Sequence, residues 1–133
     1  MFSHATVGIS DFERAFAFYR GLMDMLGHKP RFSDAAKGWA GWQPAEGGRP
    51  LFVIVRPFDG GPAAPGNGQM IAFLVPDRAT VDRAHAYALE QGATDEGAPG
   101  LRPQYHPDYY GAYFRDPDGN KLCVVCHAPA RPG

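Results

Sequence analysis

The sequence predicts an α+β fold: two β-α-β-β-β modules that together form a partly open barrel. Three observations carry that prediction. Apolar residues switch from alternation to helical spacing and back, in the same order in each half of the chain. The halves overlay at an offset of about 66 residues, which sets His4 on Met70 and Asp11 on Asp77, with Gly27 one residue from Gly92. Gly and Pro, 17 and 13 in number, punctuate many short elements, while nine Phe, six Tyr and two Trp point to a packed core rather than a disordered chain. The 133 residues make one domain, with module 1 over about 1–62 and module 2 over about 67–127.

Each element has its own signal. Residues 3–10 alternate, with Ala5, Val7 and Ile9 on one face and His4, Thr6 and Gly8 on the other. A helix follows, with Ser10 and Glu13 at capping-box spacing and Asp11 as a second cap. Phe12, Ala15, Phe16, Tyr19, Leu22, Met23 and Leu26 form its apolar stripe, and Gly27 stops it. Strands are expected around 29–33, around 38–43 and at 51–56, divided by the turn-rich stretch 44–50. Residues 57–68 hold three prolines and four glycines, which reads as a linker or a long loop. The order then repeats. Residues 70–75 read as a buried strand, and Asp77 caps a helix with Val81, Ala84, Ala88 and Leu89 on one face and Gly92 at its end. A short strand near 93–96 and strands at 109–115 and 121–126 complete the module, the last two joined by the Asp116-Pro117-Asp118-Gly119-Asn120 turn.

Composition narrows the partners. Thirteen basic and 14 acidic residues leave a net charge of −1 with no basic stripe, so nucleic acid is not expected as a partner. No apolar run approaches the ~20 residues of a membrane span, so no membrane partner is expected either. The N-terminus lacks the pattern of a signal peptide, and two cysteines make no disulfide framework. A cytoplasmic setting is the expectation.

Three stretches carry a family likeness: His4 opening the first strand, with Ser10-Asp11 and Phe18-Tyr19 after it; Gly68-Gln69-Met70-Ile71-Ala72-Phe73 opening the second half; and Tyr113-Phe114-Arg115-Asp116-Pro117-Asp118-Gly119-Asn120-Lys121-Leu122 near the end. On these the chain resembles the vicinal oxygen chelate superfamily, the glyoxalase/bleomycin-resistance/dioxygenase group, over essentially its whole length. The resemblance implies that fold, a small-molecule pocket in a cleft and a homodimer. It also implies a divalent metal held by four inward side chains, commonly His or Gln, Glu, His and Glu. Carried over, those positions fall on His4, Ile54, Met70 and Cys123, and only His4 keeps a usual ligand. No cofactor is therefore assigned, with a divalent metal at His4 as the alternative. Two function classes follow from the resemblance. One is a binder of a small molecule or a metal-independent enzyme; the other is a metal-dependent lyase, isomerase or dioxygenase.

The remaining candidates are weighed by chemistry. His4, Met70 and Cys123 are soft enough together to suit copper, although Met and free Cys are ordinarily packing residues. Cys123 and Cys126 are spaced C-x-x-C but lie on a strand, which sends the thiols to opposite faces. His106, Tyr109 and Tyr110 belong to a polar, aromatic segment suited to hydrogen bonding or acid–base work, or to capping a turn and packing a sheet edge. Arg56, on the face assigned to Ile54, offers a guanidinium to a carboxylate or simply meets solvent. Trp39 and Trp42 have opposite parity, so at most one faces a cleft. His85 reads as structural, His28 as exposed, and His127 as too far along its strand to join His4. The expected catalytic set is His4, His106 and Tyr109. The expected pocket adds Thr6, Ile54, Arg56, Met70, Ala72, Tyr110, Tyr113 and Cys123.

Overall fold

A computed structural model describes residues 1–130. Its elements run β1 (His4–Gly8), α1 (Phe12–Leu26), β2 (Lys29–Asp34), β3 (Trp39–Gln43), β4 (Leu51–Val55), β5 (Ile71–Leu74), α2 (Arg78–Glu90), β6 (Thr94–Leu101), β7 (Tyr110–Arg115) and β8 (Lys121–Cys126). This is β-α-β-β-β twice. The strands form two four-stranded mixed sheets, ordered β1-β4-β3-β2 and β5-β8-β7-β6. In each, the strand before the helix runs parallel to the last strand, and the other pairs are antiparallel. The two sheets share no strand pair and do not close into a barrel.

Helix α1 starts at Asp11, whose carboxylate accepts from the Arg14 N–H at 3.2 Å. Ser10 is not the cap. Its Oγ instead accepts from the Ala63 N–H at 2.8 Å and ties the irregular 57–68 stretch to the β1–α1 junction. Gly27 ends the helix at φ 85°, where a side chain would be strained. Phe12, Ala15, Phe18, Tyr19, Leu22 and Met23 are buried; Phe16 and Leu26, expected in the stripe, are half-buried. Helix α2 starts at Asp77, which accepts from the Thr80 N–H at 2.8 Å. Strand β6 is longer than its short signal. Gly97, Pro99 and Gly100 broke the apolar alternation, and the register slips on both sides of Gly97.

One continuous core joins the two halves. Ala40, Trp42, Phe52 and Ile54 of the first sheet lie in the core against α1, with Val7 in the same core, and Ala112, Phe114, Leu122 and Val124 of the second lie against α2. Phe52 and Phe73 pack edge to face at 5.0 Å between centroids, bridging the sheets. The Asp116–Asn120 turn also holds the halves together. The Asp116 carboxylate, 3% exposed, accepts from the Asp118 and Asn120 N–H groups, from Asn120 Nδ2 and from the Tyr19 hydroxyl of α1. Asn120 Nδ2 also donates to the Gly8 carbonyl at 2.8 Å, and the Ser10 N–H donates to Asp118 at 3.0 Å. The helices thus cover one face of each sheet, and the opposite faces are left for a cleft.

Candidate functional site

The open face of the second sheet gathers the chemistry. Register sets Cys123 beside Ala72 on β5 and beside Tyr113 on β7. The chain before β7 folds back over this row, so that the Tyr109 hydroxyl lies 2.8 Å from the Tyr113 hydroxyl and 3.7 Å from Cys123 Sγ. Cys123 is fully buried beneath them. Burial, with the mutual hydrogen bonds and Cys123 beside it, pushes the Tyr109 phenol well above its ordinary range. Burial likewise raises Tyr113 and the Cys123 thiol, against the pull of their hydrogen bonds. All three keep their protons near neutral pH, so the cluster offers neutral donors and acceptors and no thiolate.

Two imidazoles extend it. His106 Nδ1 accepts from the Asp108 N–H at 3.1 Å, which leaves its proton on Nε2. That nitrogen lies 2.7 Å from His127 Nδ1, and the rings stack at 5.0 Å between centroids. Both rings meet the Tyr109 ring edge to face.

Two neighbouring cavities open here. One, of about 580 Å³, is walled by Met70, Tyr105, Tyr109, Tyr113, Arg115 and Lys121, with Asn67, Gly68 and Gln69 at its border. The other, of about 460 Å³, runs toward β1 past Thr6, Gly8, Pro65 and Asn120, and it shares Gln69, Met70 and Lys121 with the first. Both sizes suit a small organic molecule.

The expected residues separate into two groups. Met70, Tyr109 and Tyr113 line one cavity and Thr6 the other; Cys123 lies under the floor, Ala72 is exposed on the same face, and His106 stands behind Tyr109. The rest point elsewhere. Ile54 is fully buried in the core beside Val7 and Ala40. The residues of β4 in register with His4 and Thr6 are Leu51 and Val53, because alternation puts every second residue on one face. Arg56 is exposed and lies over Gly38. The Tyr110 hydroxyl donates to Asp82 of α2 at 2.6 Å, on the helix side of the sheet. His4 is exposed, bonded to Ser3 Oγ at 2.9 Å, and lines neither of these two cavities. The thiols diverge as strand parity requires, with Cys126 in the core, and both are free. Sequence reading missed Tyr105, Arg102, Lys121 and the pairing of His127 with His106. A signal for His127 existed, since it continues the alternation of Cys123 and Val125 one step past the strand.

The family model described as the Glyoxalase/Bleomycin resistance protein/Dioxygenase superfamily matches residues 1–124. Among solved structures, a glyoxalase/bleomycin resistance protein from Albidiferax ferrireducens T118 is 36% identical, with a TM-score of 0.84, over 95% of this chain and 98% of that one. A family enzyme from Burkholderia phytofirmans PsJN is 19% identical, with a TM-score of 0.68, over 95% and 98%. A lactoylglutathione lyase from Agrobacterium tumefaciens is 21% identical, with a TM-score of 0.63, over 95% and 92%. The last two likenesses concern the fold alone. No curated protein matches. No helix among the described residues is long and apolar enough to cross a membrane.

Proposed function

This chain belongs to the Glyoxalase/Bleomycin resistance protein/Dioxygenase superfamily, and on that premise we propose that it takes a small organic molecule into the cleft on the second sheet without a metal. The observation that carries the reading is the cavity walled by Met70, Tyr105, Tyr109, Tyr113, Arg115 and Lys121. It is concave and sets three tyrosine rings and a methionine beside two amides and two cations, so it offers both apolar contact and directed polar groups to a ligand.

Donor chemistry supports the metal-independent part. A hard divalent ion wants carboxylates and imidazoles. Here the positions set beside His4 and Thr6 on β4 are Leu51 and Val53, Met70 offers only a thioether, and burial keeps Cys123 a thiol. Among the described residues, no three His, Cys, Asp or Glu side chains are grouped to hold an ion. These residues do not fit the metal of the family, nor the copper set of His4, Met70 and Cys123. A binding role suits the neutral cluster directly. Acid–base work is the second reading, favoured by the hydrogen-bonded His106–His127 pair against Tyr109. We also propose a homodimer. Strand β5 is a sheet edge that exposes Leu74 at 68%, and a second copy would cover it.

The test is a thermal-shift screen of small metabolites with and without chelator, on the wild type and on Tyr113→Ala. Hits that survive chelator and vanish in the variant are expected. Hits that appear only when Zn, Ni, Mn, Fe(II) or Cu is added would overturn the metal-independent reading.

A further inference from the structure

We propose that the cavity of Tyr105, Tyr109, Tyr113 and Lys121 selects a planar organic carboxylate, its anion held at Lys121 and its flat body against the tyrosines. The proposal rests on the small-molecule reading above and names the ligand class of the same site.

The sign of the charge is the first argument. Neither cavity has an Asp or Glu in its wall. Lys121 lines both and makes no ion pair among the described residues. Its ammonium lies 5.6 Å from the centre of the Tyr113 ring. The Arg102 guanidinium lies 5.4 Å from the same ring and donates to the Gly100 and Ala98 carbonyls, again with no carboxylate. Arg115 differs, since its Nε donates to Glu96 at 2.6 Å and its Nη1 to the Gly119 carbonyl. Two cations beside one ring therefore keep uncompensated charge. Their field reaches the cavity floor, where both act to lower the Cys123 thiol against its burial. A concave surface lined by one sign of charge directs that field at whatever enters it.

The second argument is shape. Tyr105 is 63% exposed, and its ring sits 4.8 Å from that of Tyr109 between centroids. An exposed aromatic ring backed by another is a stacking surface. Asn67 and Gln69 add amide donors at the border. A flat body with an oxyanion satisfies all of these at once. A cation would face repulsion from Lys121 and Arg102, and a neutral ligand would leave the Lys121 ammonium unanswered.

The test uses three probes with one ring and different charges: benzoate, benzamide and benzylamine. Each is titrated into the 133-residue chain by amide-resolved NMR. Benzoate is expected to bind about tenfold or more tightly than benzamide, as a charge-assisted contact allows, with benzylamine weakest. Lys121→Gln should abolish that preference and Lys121→Arg should retain it, with melting curves establishing that both variants fold. Equal binding of benzoate and benzamide to the wild type would overturn the carboxylate assignment and leave the small-molecule site standing. No shift of the Tyr109 and Tyr113 amides with any probe would overturn both. A preference that survives in Lys121→Gln would overturn the role given to Lys121.

Discussion

His28 follows the helix-ending Gly27, a place where a polar residue is expected to meet solvent. Instead its N–H closes the α1 terminus on the Met23 carbonyl at 2.9 Å, and its ring packs 6.5 Å from that of Phe73. Burial lowers its affinity for a proton below the ordinary 6.5, against a weaker upward pull from Glu46. The sign follows from linkage. Well above pH 6.5 the imidazole is neutral in the folded and unfolded chain alike. Below it the unfolded chain gains a proton that the folded one resists, so stability falls with falling pH. Urea titrations at a series of pH values should show that decline in the wild type and a flatter profile in His28→Gln. Equal slopes would remove His28 as the cause. The same divide between sequence position and environment separates Tyr109 from Tyr110. Tyr109, in the chain just before β7, reaches Tyr113 at the cavity, whereas Tyr110, the first residue of β7, reaches Asp82 on α2.

At the scale of elements, the contact between the helices turns on a glycine. Gly21 lies in the middle of α1, where glycine costs about 1 kcal/mol relative to alanine. Helix propensity alone therefore favours Gly21→Ala. The structure reverses that expectation, since a Cβ there would fall 1.6 Å from the Tyr87 hydroxyl of α2 and 2.5 Å from its ring. Gly21→Ala should destabilise by about 1–3 kcal/mol, the usual cost of overpacking. In a Tyr87→Ala background the same change should stabilise by up to about 1 kcal/mol, because only the propensity gain remains. A double-mutant cycle by chemical denaturation checks the coupling, and additive effects would contradict it.

For the whole molecule, the shared core and the Asp116–Asn120 turn oppose independent unfolding of the halves. Both tryptophans, Trp39 and Trp42, lie on β3 in the first half, whereas far-ultraviolet dichroism reports both halves. The two signals should lose structure in one coincident transition. Tyr19→Phe, which removes a donor from the buried Asp116 carboxylate, should lower that transition by about 1–3 kcal/mol without splitting it. Two separate transitions would mean that the halves fold on their own.

The order of elements was legible in the chain because it depends on local signals. Alternation, helical spacing, the Asp11 and Asp77 caps and the Pro-Asp-Gly turn each act over a few residues, and the repeat confirmed one half against the other. The family followed from the same stretches, with the 116–120 turn proving to be a clamp between the halves. Met70, Tyr109 and Tyr113 were within reach of the sequence since they lie on, or next to, readable strands. The rest of the site needed the fold. Strand parity is absolute once register is known and ambiguous before it, so Ile54 was placed on the cleft face when it belongs to the core. His106 meets His127, and Lys121 and Arg102 meet Tyr113, through chain reversals whose partners lie up to 21 residues apart. Local pattern determines what each segment becomes, whereas only the packing of distant segments decides which side chains share a cavity and which charges are left without a partner.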